Sequence, residues 1–139
     1  MAGVTERTAG PEALPPGLAE HLEAFVAHLR SVRGLSPHTV RAYRGDVTAL
    51  LGHLAAAGGV GLAGLDLAML RSWLAAQHAV GSSRGTLARR AAAARAFTAW
   101  AARDGRRSTD PGPRLASPRQ HRTLPAVLRP DQAAAALRA

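Results

Sequence analysis

Two short runs of this 139-residue chain combine hydroxyls, arginines and the signature of a helix start. The first holds Ser36, Pro37, His38, Thr39, Arg41 and Arg44; the second holds Ser82, Ser83, Arg84, Thr86, Arg89 and Arg90. Serine at an N-cap accepts a free N–H of the turn that follows, and proline fits the first helical position because no amide donor is needed there. The remaining N–H groups of a helix start, with the helix dipole, favour an anion. Arginine adds forked, charged donors that match a phosphate or the O6/N7 edge of guanine. This chemistry suits a polyanion, with Ser36, His38, Thr39, Arg41, Arg44, Arg84, Thr86, Arg89 and Arg90 as contact candidates. Arg89 falls well away from the apolar stripe of its helix, as a groove-facing residue should. Arg90 falls close to that stripe, where it either packs its stem or pairs with an acid.

The charge balance agrees. All 18 basic residues are arginine, set against nine acids, for a formal net charge of +9. GC-rich coding is one account of arginine in place of lysine, but it does not explain the two-to-one excess over acid, which points to nucleic acid. The chain has no cysteine, which excludes disulfides and thiolate zinc sites. No uncharged apolar run is long enough to span a bilayer, and the N-terminus lacks the order of a secretory signal. A cytoplasmic location, no membrane association, no cofactor and no metal are expected. His21 and His28 are two turns apart without a third ligand.

Four helices must position these residues, and nothing alternates long enough to predict a strand, so the fold class is all-α. Residues 1–17 contain three prolines and no period, and read as a flexible tail. A first helix over 18–33 carries Leu18, Leu22, Phe25, Leu29 and Val32 on one stripe, with Gly34 as its left-handed stop. The second, over 37–57, buries Val40, Tyr43, Val47, Leu50, Leu51 and Leu54 and ends at Gly58-Gly59. The third, over 67–79, starts from Asp66 and turns Leu70, Trp73 and Leu74 inward. The fourth, over 84–104, turns Leu87, Ala91, Ala94, Phe97 and Ala101 inward and stops at Gly105. Residues 106–129 read as an extended basic linker broken by Pro111, Pro113, Pro118 and Pro125, and 130–139 as the beginning of a further helix. Gly59, Gly61 and Gly64 match the spacing of a dinucleotide-binding fingerprint but lack the preceding strand, so they read as an interhelical loop. Tyr43, Phe25, Trp73, Phe97 and Trp100 sit at helical spacing and read as core, Tyr43 with a hydrogen-bonded hydroxyl.

The run LAEHLEAFVAHLRSVRGLSPHTVRAYRGDVTALLGHL (18–54) resembles the start of the core-binding domain of Xer-type tyrosine recombinases. LARRAAAARAFTAWAARDG (87–105), Asp110-Pro111 and LPAVLRPDQAAAAL (124–137) continue the resemblance in order. Ala91, Ala92 and Ala94 depart from the bulkier pattern usual in the fourth helix. The resemblance implies a four-helix, SAM-like domain at 18–105 that forms half of a clamp around a recombination half-site. Its second and fourth helices would approach the major groove of double-stranded DNA. It further implies partner recombinase subunits in the full-length protein, and catalytic residues belonging to a following domain whose first helix is 130–139. The chain alone is therefore expected to bind DNA without cutting it, and contains no catalytic residue. Two other classes fit a basic helical bundle: a non-catalytic interaction protein docking through the first helix's apolar stripe, and a helix-turn-helix regulator. The regulator needs a shorter turn than 58–66 provides.

Overall fold

The computed structural model describes residues 14–115, and they form four α-helices with no strand among them. The helices are α1 (Pro16–His28), α2 (Pro37–Ala56), α3 (Leu67–Ala79) and α4 (Arg84–Arg103). Each apolar series of the sequence lands in the core: Leu18, Leu22, Phe25 and Leu29 from the first, Leu50, Leu51 and Leu54 from the second, Trp73 from the third, Phe97 from the fourth. The expected segment 130–139 and the side chain of Val32 lie outside the described residues.

Local chemistry sets the ends. Ser36, Asp66 and Ser83 each accept the N–H of the residue three positions on, capping α2, α3 and α4. At the other end, Gly58, Gly81 and Gly105 adopt positive φ, and the residue after each donates back to the helix: Gly59 to Leu54, Ser82 to Gln77, Arg106 to Ala101. This six-to-one closure satisfies carbonyls that a straight helix would orphan, and it requires a residue comfortable in the left-handed region. The first helix leaves the expected path: Leu29–Arg33 forms a π turn before Gly34. Ser31 Oγ donates to the Ala27 carbonyl at 2.8 Å there, the kind of back-bond that bends a helix end.

The packed unit is longer at both ends than periodicity indicates. Leu14 is buried and α1 begins at Pro16, inside the stretch expected to be tail, because proline starts a helix as readily as it breaks one. Beyond Gly105 the chain does not run free over its described part. Arg107 Nε donates to the Leu62 carbonyl at 3.0 Å, Pro111 and Gly112 are buried, and Leu115 packs into the core while Arg95 Nη1 binds its carbonyl at 3.2 Å. The prolines that interrupt a helix here also shape a compact turn, in which Asp110 Oδ1 accepts the Gly112 N–H at 2.9 Å.

The centre of the bundle is aromatic. Phe25 meets Phe97 edge-on at 5.1 Å and Trp100 at 5.3 Å, joining α1 to α4. Tyr43 meets Phe25 edge-on at 6.3 Å and is half-buried, with no partner for its hydroxyl among the described residues. The glycine-rich segment after α2 is a loop containing a single 3-10 turn, Leu62–Gly64. No helix among the described residues is long and apolar enough to cross a membrane.

Candidate nucleic-acid interface

The two serine-capped starts are built alike. Ser36 Oγ accepts the Thr39 N–H at 3.2 Å and donates its own hydrogen to Thr39 Oγ1 at 3.1 Å. Ser83 repeats this with Thr86 at 3.1 and 3.0 Å. Only one hydroxyl hydrogen is used within each serine–threonine pair, so each pair keeps another for an outside acceptor. The early amides differ. Pro37 has no N–H, leaving His38 to offer one, whereas both Arg84 and Gly85 offer theirs at the start of α4. Gly85 has no side chain to keep an anion away.

Between these starts, α2 and α4 border an open groove of about 230 Å³. His38, Thr39, Ala42, Tyr43 and Asp46 line it from α2; Arg89, Ala92 and Ala93 line it from α4. The contacts run in opposing order: Asp46 meets Arg89, while Tyr43 sits beside Phe25, which meets Phe97 further along α4. The caps therefore do not converge on one point. Ser36 lies about 15 Å of helix before Asp46 and Ser83 about 9 Å before Arg89. Two anion-attracting ends flank one groove.

The expected arginines divide into free and paired. Arg41 and Arg84 are exposed and make no ion pair among the described residues. Arg44 instead grips Glu23 of α1 with both ends of its fork, Nη1 to Oε1 at 3.0 Å. That bond holds the Glu23 carboxyl below the usual carboxylate range and keeps Arg44 more firmly charged. Arg89 donates Nε and Nη2 to the two oxygens of Asp46 at 3.1 and 2.7 Å, and its own pKa rises for the same reason. Arg90 donates Nη1 to Gln77 Oε1 and brings Nε within 3.4 Å of Asp46, the pairing its position beside the stripe allows. Ser36, His38 and Thr86 occupy the helix starts as expected.

Asp46 and Glu23 are the residues that sequence reasoning missed. Asp46 had a signal: it stands at helical spacing between Tyr43 and Leu50, on the inward side of α2, and is only 3% exposed. A carboxylate buried to that degree requires a cation and hydrogen bonds to offset desolvation. Glu23 had no such signal, since it is exposed. The linker arginines Arg106 and Arg107 are likewise engaged within the fold, Arg106 with Glu20, Asp104 and His21.

The arrangement resembles known proteins in sequence. A family model described as "Phage integrase, N-terminal SAM-like domain" matches residues 22–105. Tyrosine recombinase XerC of Mycobacterium sp. strain JLS is 50% identical over 117 residues, 84% of this chain and 39% of that protein. Tyrosine recombinase XerC of Mycobacterium leprae is 53% identical over 112 residues, 81% of this chain and 37% of that protein. The chain thus spans about two fifths of the length of these curated relatives. No solved structure matches it significantly.

Proposed function

Because the chain belongs to the family of phage integrase N-terminal SAM-like domains, we propose that it is the DNA-binding module of a Xer-type tyrosine recombinase. Such a module acts in cut-and-rejoin recombination at specific sites, as in resolving chromosome dimers before cell division, in the cytoplasm and alongside partner recombinase subunits. It positions the duplex and leaves strand cleavage to residues outside the matched region. The observation that carries this reading is the pair of Ser-x-x-Thr helix starts, each with an exposed arginine that has no ion pair among the described residues, flanking the α2–α4 groove.

In this reading His38, Thr39 and Arg41 hold one stretch of phosphates, and Arg84 and Thr86 hold another, through amide, hydroxyl and guanidinium donors. Ser36 and Ser83 aim the threonines. Arg44 and Arg90 brace the helices through Glu23 and Gln77, and Arg89 faces the bases. Anisotropy titrations of the chain against short duplexes at low ionic strength test it. The expected result is binding whose logarithm falls linearly with that of salt, at about 0.9 per phosphate contact. No binding at low salt overturns it.

The interaction-protein reading loses its surface, since the α1 stripe is consumed by the core. A helix-turn-helix reading has no short turn between α2 and α3, which 57–66 separates, and rests only on α3 and α4, joined by 80–83.

A further inference from the structure

Asp46 and Arg89 come from different helices, 43 positions apart, and meet at the edge of the groove. We propose that Asp46 is a specificity-determining positioning residue, which holds the Arg89 guanidinium so that its free end reads a guanine. The inference rests on the DNA-binding reading above and extends it from phosphate grip to base choice.

A guanidinium has five N–H donors in one plane. Asp46 takes two of them side-on, the Nε hydrogen at 3.1 Å and one Nη2 hydrogen at 2.7 Å. Three remain, one on Nη2 and two on Nη1. The remaining Nη2 hydrogen and its neighbour on Nη1 point in parallel from the end of the fork, the arrangement that meets O6 and N7 of guanine together. Side-on pairing therefore occupies the edge that guanine does not need.

Burial agrees with this division of labour. The Asp46 side chain is 4% exposed and the Arg89 side chain 54% exposed, so the anion is fixed inside while the cation's far end stands open. Arg90 gives the carboxylate a second positive neighbour at 3.4 Å and is itself held by Gln77, which keeps Asp46 in place when Arg89 shares its charge with a base. Ala42, Ala92 and Ala93 leave the space before Arg89 unfilled. Asp46 also cancels much of the long-range pull of Arg89 on phosphates, so the pair contributes to selectivity more than to general adhesion.

The test uses the full chain and a pool of duplexes with a randomised centre. The most enriched duplex is remade with 7-deazaguanine, which lacks the N7 acceptor, at each guanine in turn. The wild type is expected to lose about tenfold affinity at one guanine. Asp46→Asn and Arg89→Lys are expected to lose that discrimination, to within about twofold, and to weaken the selected duplex more than the unselected pool. An Asp46→Asn protein that still discriminates overturns the inference. So does equal weakening on the selected duplex and the pool, which marks the pair as an inter-helix clamp only. Circular dichroism checks folding; should Asp46→Asn fail to fold, a discriminating Arg89→Lys overturns the proposal by itself. If the wild type binds duplexes but no guanine is sensitive, the inference falls and the DNA-binding reading stands. If it binds no duplex, both fall.

Discussion

Arg106 Nη1 donates to Glu20 Oε1 at 2.8 Å, tying the turn after α4 to α1 across 86 positions. The same guanidinium donates Nε to Asp104 at 2.8 Å, approaches His21 Nδ1 at 3.0 Å and lies 5.0 Å from the centre of the Trp100 ring. Its side chain is 22% exposed, so these contacts are only partly screened by solvent.

Arg106→Ala is expected to cost about 1–2 kcal/mol, since it removes a cation–π contact and charge-assisted hydrogen bonds together. Urea denaturation followed by circular dichroism measures it. Arg103→Ala, on the exposed last turn of α4, is expected to stay within about 0.5 kcal/mol of the wild type. Equal effects would show that the Arg106 contacts carry no stability.

His21 gives this corner a pH dependence. Burial lowers its pKa below the ordinary value of 6.5, the adjacent Arg106 lowers it further, and Glu20 opposes them. In the window between the folded value and 6.5, the unfolded chain binds more protons at this site. The His21 contribution to stability is therefore full above 6.5, falls as pH drops through that window and then levels off. Thermal melts of the wild type and His21→Gln between neutral and mildly acidic pH should diverge in that sense. Parallel curves would remove His21 as the cause.

Gly112→Ala is expected to destabilise by about 1–3 kcal/mol. A Cβ there would stand 2.7 Å from Thr98 Oγ1, 3.0 Å from Asp110 Oδ1 and 3.3 Å from the Arg95 Cα. Thr98 is fully buried and has no room to withdraw. Adding Thr98→Ala should recover part of the loss, leaving the double variant more stable than the sum of the singles. Hydrogen exchange on residues 110–115 should show the turn opening in Gly112→Ala.

The paired and free arginines should separate in salt titrations. Arg41→Ala and Arg84→Ala are each expected to reduce the log–log slope by about one. Arg44→Ala should leave the slope nearly unchanged and lower stability instead, because Glu23 already holds that guanidinium. Glu23→Gln should steepen the slope by up to about one as Arg44 is released. Identical slopes in all four would contradict the division.

Helix existence and most boundaries were legible in the chain, because they follow from interactions within a turn or two. Asp66 capping α3 over Leu67–Ala79 and Ser83 starting α4 needed only neighbouring residues. The serine–threonine starts were visible for the same reason. The π turn at Leu29–Arg33 was not: an i−4 back-bond from Ser31 competes there with ordinary helix, and periodicity is blind to it.

The alphabet and its spacing determined by themselves an all-α bundle, the buried stripes, the capped starts of α2 and α4 and a surplus of arginine. Only the tertiary structure decided which arginines remain available, by seating Glu23 against Arg44 and Asp46 against Arg89, and only it folded 106–115 back onto the bundle. The physical reason is range. A helix and its caps are chosen by residues within about four positions, whereas an ion pair between helices depends on which faces meet, and that is set by the packing of the whole core.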